Sequence, residues 1–219
     1  MAFTAKDVVA LRERTGVGMM DCKKALTEAD GDMDKAIDIL REKGLAKQAK
    51  KASRVAAEGV AYATVDADKK VGVLVEVNSE TDFAAKSDKF MDFVKTVAQT
   101  IIDGNPADVD ALMAMTCPTG ATLSDELRDK VMVIGENLSV RRFVRYEGDC
   151  VSYVHGGGRI GVLVRFEADA AASGSEALVA CGKDVAMQIA ALNPRFLDKS
   201  QVDQATLDEE KKIMLVQME

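Results

Sequence analysis

Residues 71–77 have the sequence Val-Gly-Val-Leu-Val-Glu-Val, and the tetrapeptide Gly-Val-Leu-Val at 72–75 recurs 89 positions later at 161–164. Each copy follows an alternating segment and a turn, which lies at 66–69 in the first copy and at 155–159 in the second. Apolar residues that alternate on both sides of a turn are typical of a β-hairpin. The repeat therefore predicts two related hairpins in one core.

Each hairpin is followed by residues with helical spacing. The first helix is predicted to end at Asp103-Gly104, and Asn105-Pro106 and Asn193-Pro194 occupy matching places after the two helices. The predicted inward stripes are Phe90, Phe93, Val94, Val97, Ala98 and Ile101 in the first helix, and Val179, Lys183, Ala186, Met187 and Ala190 in the second. Because such helices cover one face of a sheet, the predicted fold class is α+β, with antiparallel sheets packed with helices.

The first copy continues further than the second. A short helix over 108–115, a helix over 123–137 and a strand over 140–146 are predicted to complete it. A helix over 206–218 parallels the 123–137 helix, and no second counterpart of the strand follows in this sequence. We therefore predict an incomplete second unit with an exposed apolar edge or surface.

The first 44 residues predict three short helices around one small core. Thr4 and Asp7 form a box-like cap for the first helix, which ends at Gly16, and the third helix is predicted to run from Asp32 to Gly44. Residues 41–54 contain six basic residues and one acidic residue, a pattern typical of a solvated linker or helix, with RNA contact as the alternative. The three helices are therefore predicted to form a tethered module.

Met19 and Met20 lie in the turn between the first two of these helices. Methionine is flexible and polarizable, so an exposed pair suits the groove of a partner protein. The alternative is that one or both side chains fill the small core of the module.

Composition limits the classes of function. The chain has 219 residues, no apolar run long enough to span a membrane and no signal peptide, so we expect it to be cytoplasmic and to bind no membrane. Its four cysteines are scattered, which predicts reduced thiols and no zinc site. The net charge is −7, with +3 in residues 1–54 and −10 in the remainder, and this argues against direct nucleic-acid binding.

Catalytic and cofactor motifs are incomplete. His155 is the single histidine, and the His-Gly-Gly-Gly segment that it begins has no Gly-x-Ser-x-Gly nucleophile elbow to serve. The calcium-like segment at 30–34 has Arg41 where the twelfth position needs a glutamate. No nucleotide-binding glycine motif occurs. We therefore predict no enzyme activity, no catalytic residue, no metal site and no cofactor.

Asp82-Phe83 follows the strand that contains the first repeat. A local interpretation places Asp82 at a helix N-terminus, where the helix dipole favours its charge. Phe83 lies seven residues before Phe90, so the same interpretation places its ring on the buried face, against the helix that bears Phe90 and Val94.

Two stretches resemble the signatures of bacterial elongation factor Ts: Leu-Arg-Glu-Arg-Thr-Gly-Val-Gly-Met-Met-Asp-Cys-Lys-Lys-Ala-Leu at 11–26, and Glu-Val-Asn-Ser-Glu-Thr-Asp-Phe at 76–83. Residues 155–164 resemble a third stretch of the family, so the resemblance spans essentially the whole chain. It implies a three-helix ubiquitin-associated-like module with its basic linker at 1–54, a core N-subdomain at 55–147 and a core C-subdomain at 148–219.

The resemblance also implies a function. Members of this family bind elongation factor Tu, through its G domain and a further domain, and promote guanine-nucleotide exchange without a catalytic acid or base. Asp82 and Phe83 are then expected to insert near the Mg²⁺ site of the partner and to disturb the Mg²⁺ and phosphate contacts. The other implied partner-binding residues are Thr81 of the same motif, Arg12, Met19, Met20 and Lys23 in the module, and His155 in the second subdomain.

The chain departs from the family pattern in two places. Ala84 stands where the motif usually continues with valine, which predicts a small change in packing. Many members continue through a helical hairpin, so this chain resembles a shortened form that stops inside the first helix of that hairpin, and a homodimer is expected only of a full-length form. The competing hypothesis is an adaptor that binds ubiquitin-like or nascent-chain partners through the N-terminal module, which leaves the duplicated core unexplained.

Overall fold

The computed structural model describes residues 3–218, apart from the side chain of Ala49. Helices and antiparallel sheets alternate along it, as the predicted fold class requires. The elements of the first part are α1 (Ala5–Thr15), α2 (Met19–Glu28), α3 (Met33–Lys51), β1 (Glu58–Asp66), β2 (Val71–Ser79), α4 (Asp82–Ala85), α5 (Asp88–Gly104), α6 (Val109–Ala114), α7 (Leu123–Ile134) and β3 (Ser139–Glu147). The second part contains β4 (Asp149–His155), β5 (Ile160–Phe166), α8 (Glu176–Leu192), a 3₁₀ turn (Lys199–Gln201) and α9 (Gln204–Gln217).

The N-terminal helices form a small core of their own. The Thr4 backbone N–H donates to Asp7 Oδ2 over 2.7 Å, which confirms the predicted cap of α1, and Gly16 ends the helix in the left-handed conformation with φ 66°. Val8 and Leu11 from α1 pack against α2 and α3. The buried residues of α2 are Cys22, Ala25 and Leu26, which share one face of the helix at i, i+3 and i+4.

The predicted end of the third helix at Gly44 is wrong, because α3 continues to Lys51. Gly44 is buried against α7, where a Cβ atom would lie 2.5 Å from Met132 Sδ. This glycine allows two helices to approach closely, and it does not stop the first of them. The basic segment after Gly44 is therefore largely helical, and the module predicted to be tethered is packed on the core.

The first sheet has the strand order β1-β2-β3, and both pairs are antiparallel. On its inner face α5 packs on β1 and β2, and α7 packs on α5, so both helices contribute to the largest core cluster. Every residue of the predicted α5 stripe is buried, so this part of the prediction is confirmed: Phe90, Phe93, Val94, Val97, Ala98 and Ile101.

The second sheet consists of β4 and β5 among the described residues, and it packs on β1 and β2. The repeated tetrapeptides face each other at this contact. A Cβ atom at Gly72 would lie 2.7 Å from Leu163 Cδ1, and one at Gly161 would lie 2.6 Å from Leu74 Cδ1. The glycine of each copy thus makes room for the leucine of the other, which explains why this tetrapeptide occurs twice.

The helices after the two hairpins correspond closely. Both α5 and α8 have 17 residues, and each is capped by a serine hydroxyl, from Ser87 and from Ser175. Asn105 and Asn193 end them in the left-handed conformation, each with φ 47°. The equivalent place of the two helices in the repeat is confirmed.

The predicted buried stripe of α8 is wrong in part. Val179, Lys183 and Met187 are exposed, whereas Gly182 and Ala186 are buried. A Cβ atom at Gly182 would lie 2.4 Å from Val151 Cγ2, so α8 approaches β4 through its smallest residues. Apolar residues surround much of this helix, and spacing alone therefore did not identify the face that packs.

The second half leaves an apolar surface exposed, as predicted. It includes Leu192 at the end of α8, Leu197 after that helix, and Met214, Leu215 and Val216 on α9. No residue of α9 is buried within the part of the chain that the structure describes.

Candidate partner-binding surface

Phe83 projects from a short, capped helix. The Thr81 hydroxyl accepts a hydrogen bond from the Ala84 N–H over 3.2 Å and so caps α4. Ala84 and Ala85 are buried below this turn, whereas the Phe83 side chain is 85% exposed. The local interpretation that buried Phe83 is therefore wrong. Ser87 starts a new helix between the two phenylalanines, so the seven-residue spacing does not extend across the break.

Asp82 begins α4, as the local interpretation predicts, and it is also exposed. Lys86 Nζ lies 2.7 Å from Asp82 Oδ2. The hydrogen bond and the charge of Lys86 lower the pKa of Asp82, and the Arg159 guanidinium lowers it further. An anionic carboxylate and an exposed aromatic ring therefore lie side by side on this turn.

The turn between β4 and β5 lies beside α4. Ala61 of β1 donates its N–H to Gly158 O over 2.7 Å, and α4 also packs on β1. His155 begins the turn and accepts the Arg159 N–H on its carbonyl oxygen over 3.1 Å. The turn after His155 and the helix α4, which follows Thr81 and contains Asp82 and Phe83, thus both contact β1.

His155 is exposed and has a neighbour on its own strand. Its Nδ1 lies 3.0 Å from the Tyr153 hydroxyl, and the two rings stack with centroids 6.0 Å apart. The tyrosine fixes the orientation of the imidazole and leaves the rest of its ring open to solvent. Such a ring can contact a partner protein.

A groove of about 760 Å³ continues from this turn across the outer face of the first sheet. Phe143, Val144 and Ile160 contribute apolar surface to it. Glu76 and Arg142 provide an ion pair at the groove, with Arg142 Nε 2.7 Å from Glu76 Oε2. The groove thus adds residues outside the sequence motifs, such as Phe143 and Val144, to the candidate surface.

The second group of candidate residues lies on the N-terminal helices. Met19 and Met20 form the first turn of α2, where they are 39% and 65% exposed, so the alternative that they fill the core is wrong. Arg12 on α1 and Lys23 on α2 are exposed as well. α2 packs on α1 and α3, whereas α4 packs on β1, β2 and α5. The two groups therefore lie on different packed units, which are joined where α3 contacts α7.

Two residues near Phe83 escaped prediction from the sequence. Glu136 accepts two hydrogen bonds from Thr81, and Arg159 lies close enough to Asp82 to affect its pKa. Glu136 is 55 residues from Thr81, and no spacing rule connects positions so far apart. Arg159 had a weak signal, because it follows the glycine turn that the resemblance includes.

Among residues 3–218, no group of three or more histidine, cysteine or acidic side chains is placed to hold a metal ion. Within the same residues, no helix is long and apolar enough to cross a membrane.

Comparison with known proteins gives concordant matches. Residues 80–219 match the family described as Elongation factor TS. The chain is 50% identical over 218 residues to Elongation factor Ts of Clostridium perfringens (strain 13 / Type A), which covers 98% of this chain and 71% of that relative. It is 50% identical over 219 residues to the protein of the same name from Trichlorobacter lovleyi, covering 97% and 70%, and 47% identical over 217 residues to that of Clostridioides difficile (strain 630), covering 98% and 71%.

Proposed function

The chain belongs to the elongation factor Ts family, and from that premise we propose that it binds elongation factor Tu carrying GDP and promotes the release of GDP. A role in translation elongation comes with the family. What we propose beyond that role is the partner, elongation factor Tu, the released nucleotide, GDP, and the residues that cause the release. GTP then rebinds to the emptied partner, and the chain acts in the cytoplasm with other soluble translation components.

One observation carries the proposal: Phe83 is 85% exposed on a turn whose backbone is held by hydrogen bonds. A large exposed aromatic ring in a fixed position is typical of the residues that dominate binding to a partner protein. Its neighbour Asp82 is anionic and so can compete for positive groups. We infer that the two side chains insert near the Mg²⁺ site of the partner's G domain and displace groups that hold the metal and the phosphates.

Exchange of this kind requires no chemical step on the chain. The chain needs to bind the nucleotide-free partner more tightly than the loaded partner, because linkage then lowers the affinity of the partner for its nucleotide. His155 would contact the G domain from the second hairpin. Arg12, Met19, Met20 and Lys23 would hold the N-terminal helices on the same domain, and the +3 charge of residues 1–54 suits an acidic surface there.

The experiment is stopped-flow release of a fluorescent GDP analogue from elongation factor Tu, with excess unlabelled GDP and increasing amounts of the chain. We expect the release rate to rise with concentration and to saturate. A rate that does not change over the whole range would contradict the proposal. If the chain left the release rate unchanged and bound a ubiquitin-like protein through Met20, the adaptor hypothesis would replace the proposed function.

A further inference from the structure

Thr81 is held by a carboxylate from a distant part of the chain. Its backbone N–H donates to Glu136 Oε2 over 3.0 Å, and its hydroxyl donates to Glu136 Oε1 over 2.7 Å. The same hydroxyl accepts from the Ala84 N–H and caps α4. Hydrogen bonds to a charged acceptor are stronger than neutral ones, and two of them from one residue fix its orientation as well as its position. Glu136 therefore sets the direction in which α4 begins.

Glu136 lies in a tight connection between α7 and β3. Gly135 ends α7 with φ 87°, a conformation that favours glycine, and the chain enters β3 at Ser139. We call residues 135–137 the 135–137 loop. Because Gly135 reverses the chain immediately before it, Glu136 faces the 81–83 turn and not the solvent beyond α7.

The other two residues of the 135–137 loop are bonded to the end of the N-terminal module. Lys51 Nζ donates to Gly135 O, and Asn137 Nδ2 donates to Arg54 O over 2.8 Å. The Asn137 N–H donates to Glu80 Oε1 over 2.6 Å, next to Thr81 in sequence. One short loop thus contacts both the segment that follows α3 and the turn that bears Phe83.

We propose that Glu136 is a positioning residue of nucleotide exchange, which fixes the 81–83 turn for insertion while its loop joins that turn to the docked N-terminal helices. This inference rests on the proposed function. A side chain that is already oriented loses less conformational freedom on binding than one on a mobile turn. Glu136 acts through Thr81, and so it improves insertion without contacting the nucleotide.

The test is the maximal rate of GDP release at saturating concentrations of Glu136→Ala, Glu136→Gln and the wild-type chain. With Glu136→Ala we expect the maximal rate of GDP release from elongation factor Tu to be about tenfold lower, since the variant loses two charge-assisted hydrogen bonds. Glu136→Gln keeps one acceptor oxygen and should recover part of the rate. Glu209→Ala, an exposed glutamate on α9, is the matched control and should behave as the wild type.

Amide hydrogen exchange gives a readout that general destabilisation would not reproduce. In Glu136→Ala the Thr81 amide should exchange at least about tenfold faster, while buried amides of α5 such as that of Val94 keep their protection. Faster exchange throughout α5 would show that Glu136 only stabilises the fold, and would overturn the positioning role.

A double variant tests whether Glu136 works through Thr81. Thr81→Val removes the hydroxyl, so its combination with Glu136→Ala should cost less than the product of the two single effects. If the effects of the two single variants simply multiply, the inference is overturned. It is also overturned if Glu136→Ala supports the wild-type release rate although its Thr81 amide exchanges faster. If the wild-type chain itself fails to speed release, the proposed function fails and this inference fails with it, a result that is distinguishable from failure of Glu136 alone.

Discussion

At position 83 an aromatic ring is exposed where the local spacing in the sequence predicts burial. Phe83→Ala should therefore leave the free energy of unfolding within about 0.5 kcal/mol of the wild-type value, as is usual for surface substitutions. Phe93→Ala, which removes a fully buried ring, should cost about 3–5 kcal/mol. Urea melts of the two variants measure both values. A loss at Phe83 as large as that at Phe93 would contradict the exposed position.

Substitutions of Met19 and Met20 test the proposed contact between the N-terminal helices and the partner protein. If they anchor the partner, each Met→Ala change should weaken association by about 1–2 kcal/mol and barely alter the melting temperature. Met20 is the more exposed of the two, so its effect on stability should be the smaller. Met214→Ala on α9 is the control for removing an exposed methionine. The partner-anchor role fails if stability falls as much as binding does.

Among the elements, the two hairpins depend on the glycines of the repeat. A Cβ atom at Gly72 would lie 2.7 Å from Cys150 Cβ, which cannot move without its strand, whereas the closest obstacle at Gly161 is the end of the Leu74 side chain. We expect Gly72→Ala to destabilise the fold by about 1–3 kcal/mol, as overpacking does, and Gly161→Ala to cost less.

The matched control for these glycines is Gly18→Ala, because a Cβ atom there meets open space. Its cost should be limited to the lower preference of alanine for a helix N-cap position. Equal unfolding midpoints for Gly72→Ala and Gly18→Ala would show that the sheets do not need the glycine contact. Chemical denaturation of Gly72→Ala, Gly161→Ala and Gly18→Ala under one set of conditions measures the loss of unfolding free energy in each.

Across the whole molecule, the sequence predicts what depends on local order. The two hairpins, the helices that follow them and the α5 stripe follow from apolar period and turn residues, which act over a few positions. The contacts that arrange these elements join residues that are far apart in the sequence. Gly44 has the sequence signal of a helix end, but α3 passes through it, and the glycine instead lies close to Met132 on another helix.

The candidate site divides in the same way. The exposed positions of Met20 and Phe83 could be proposed from motifs, because those residues occur in signatures that the chain shares with its family. Met20 was already a candidate from its place near a turn, whereas Phe83 depends on the signature, because local spacing places its ring inside. Glu136 was missed because it reaches Thr81 only through the fold, across 55 residues of chain.

If Phe83 drives release of GDP, its removal must slow exchange more than it weakens docking. The direct measurement is stopped-flow release of fluorescent GDP from elongation factor Tu at saturating Phe83→Ala, together with the affinity of the variant for the nucleotide-free partner. Leu197→Ala, which removes an 88% exposed apolar side chain elsewhere, is the control. We expect the maximal rate to fall about tenfold or more for Phe83→Ala and to stay unchanged for Leu197→Ala. A folded Phe83→Ala protein that releases GDP at the wild-type rate would contradict the role of Phe83.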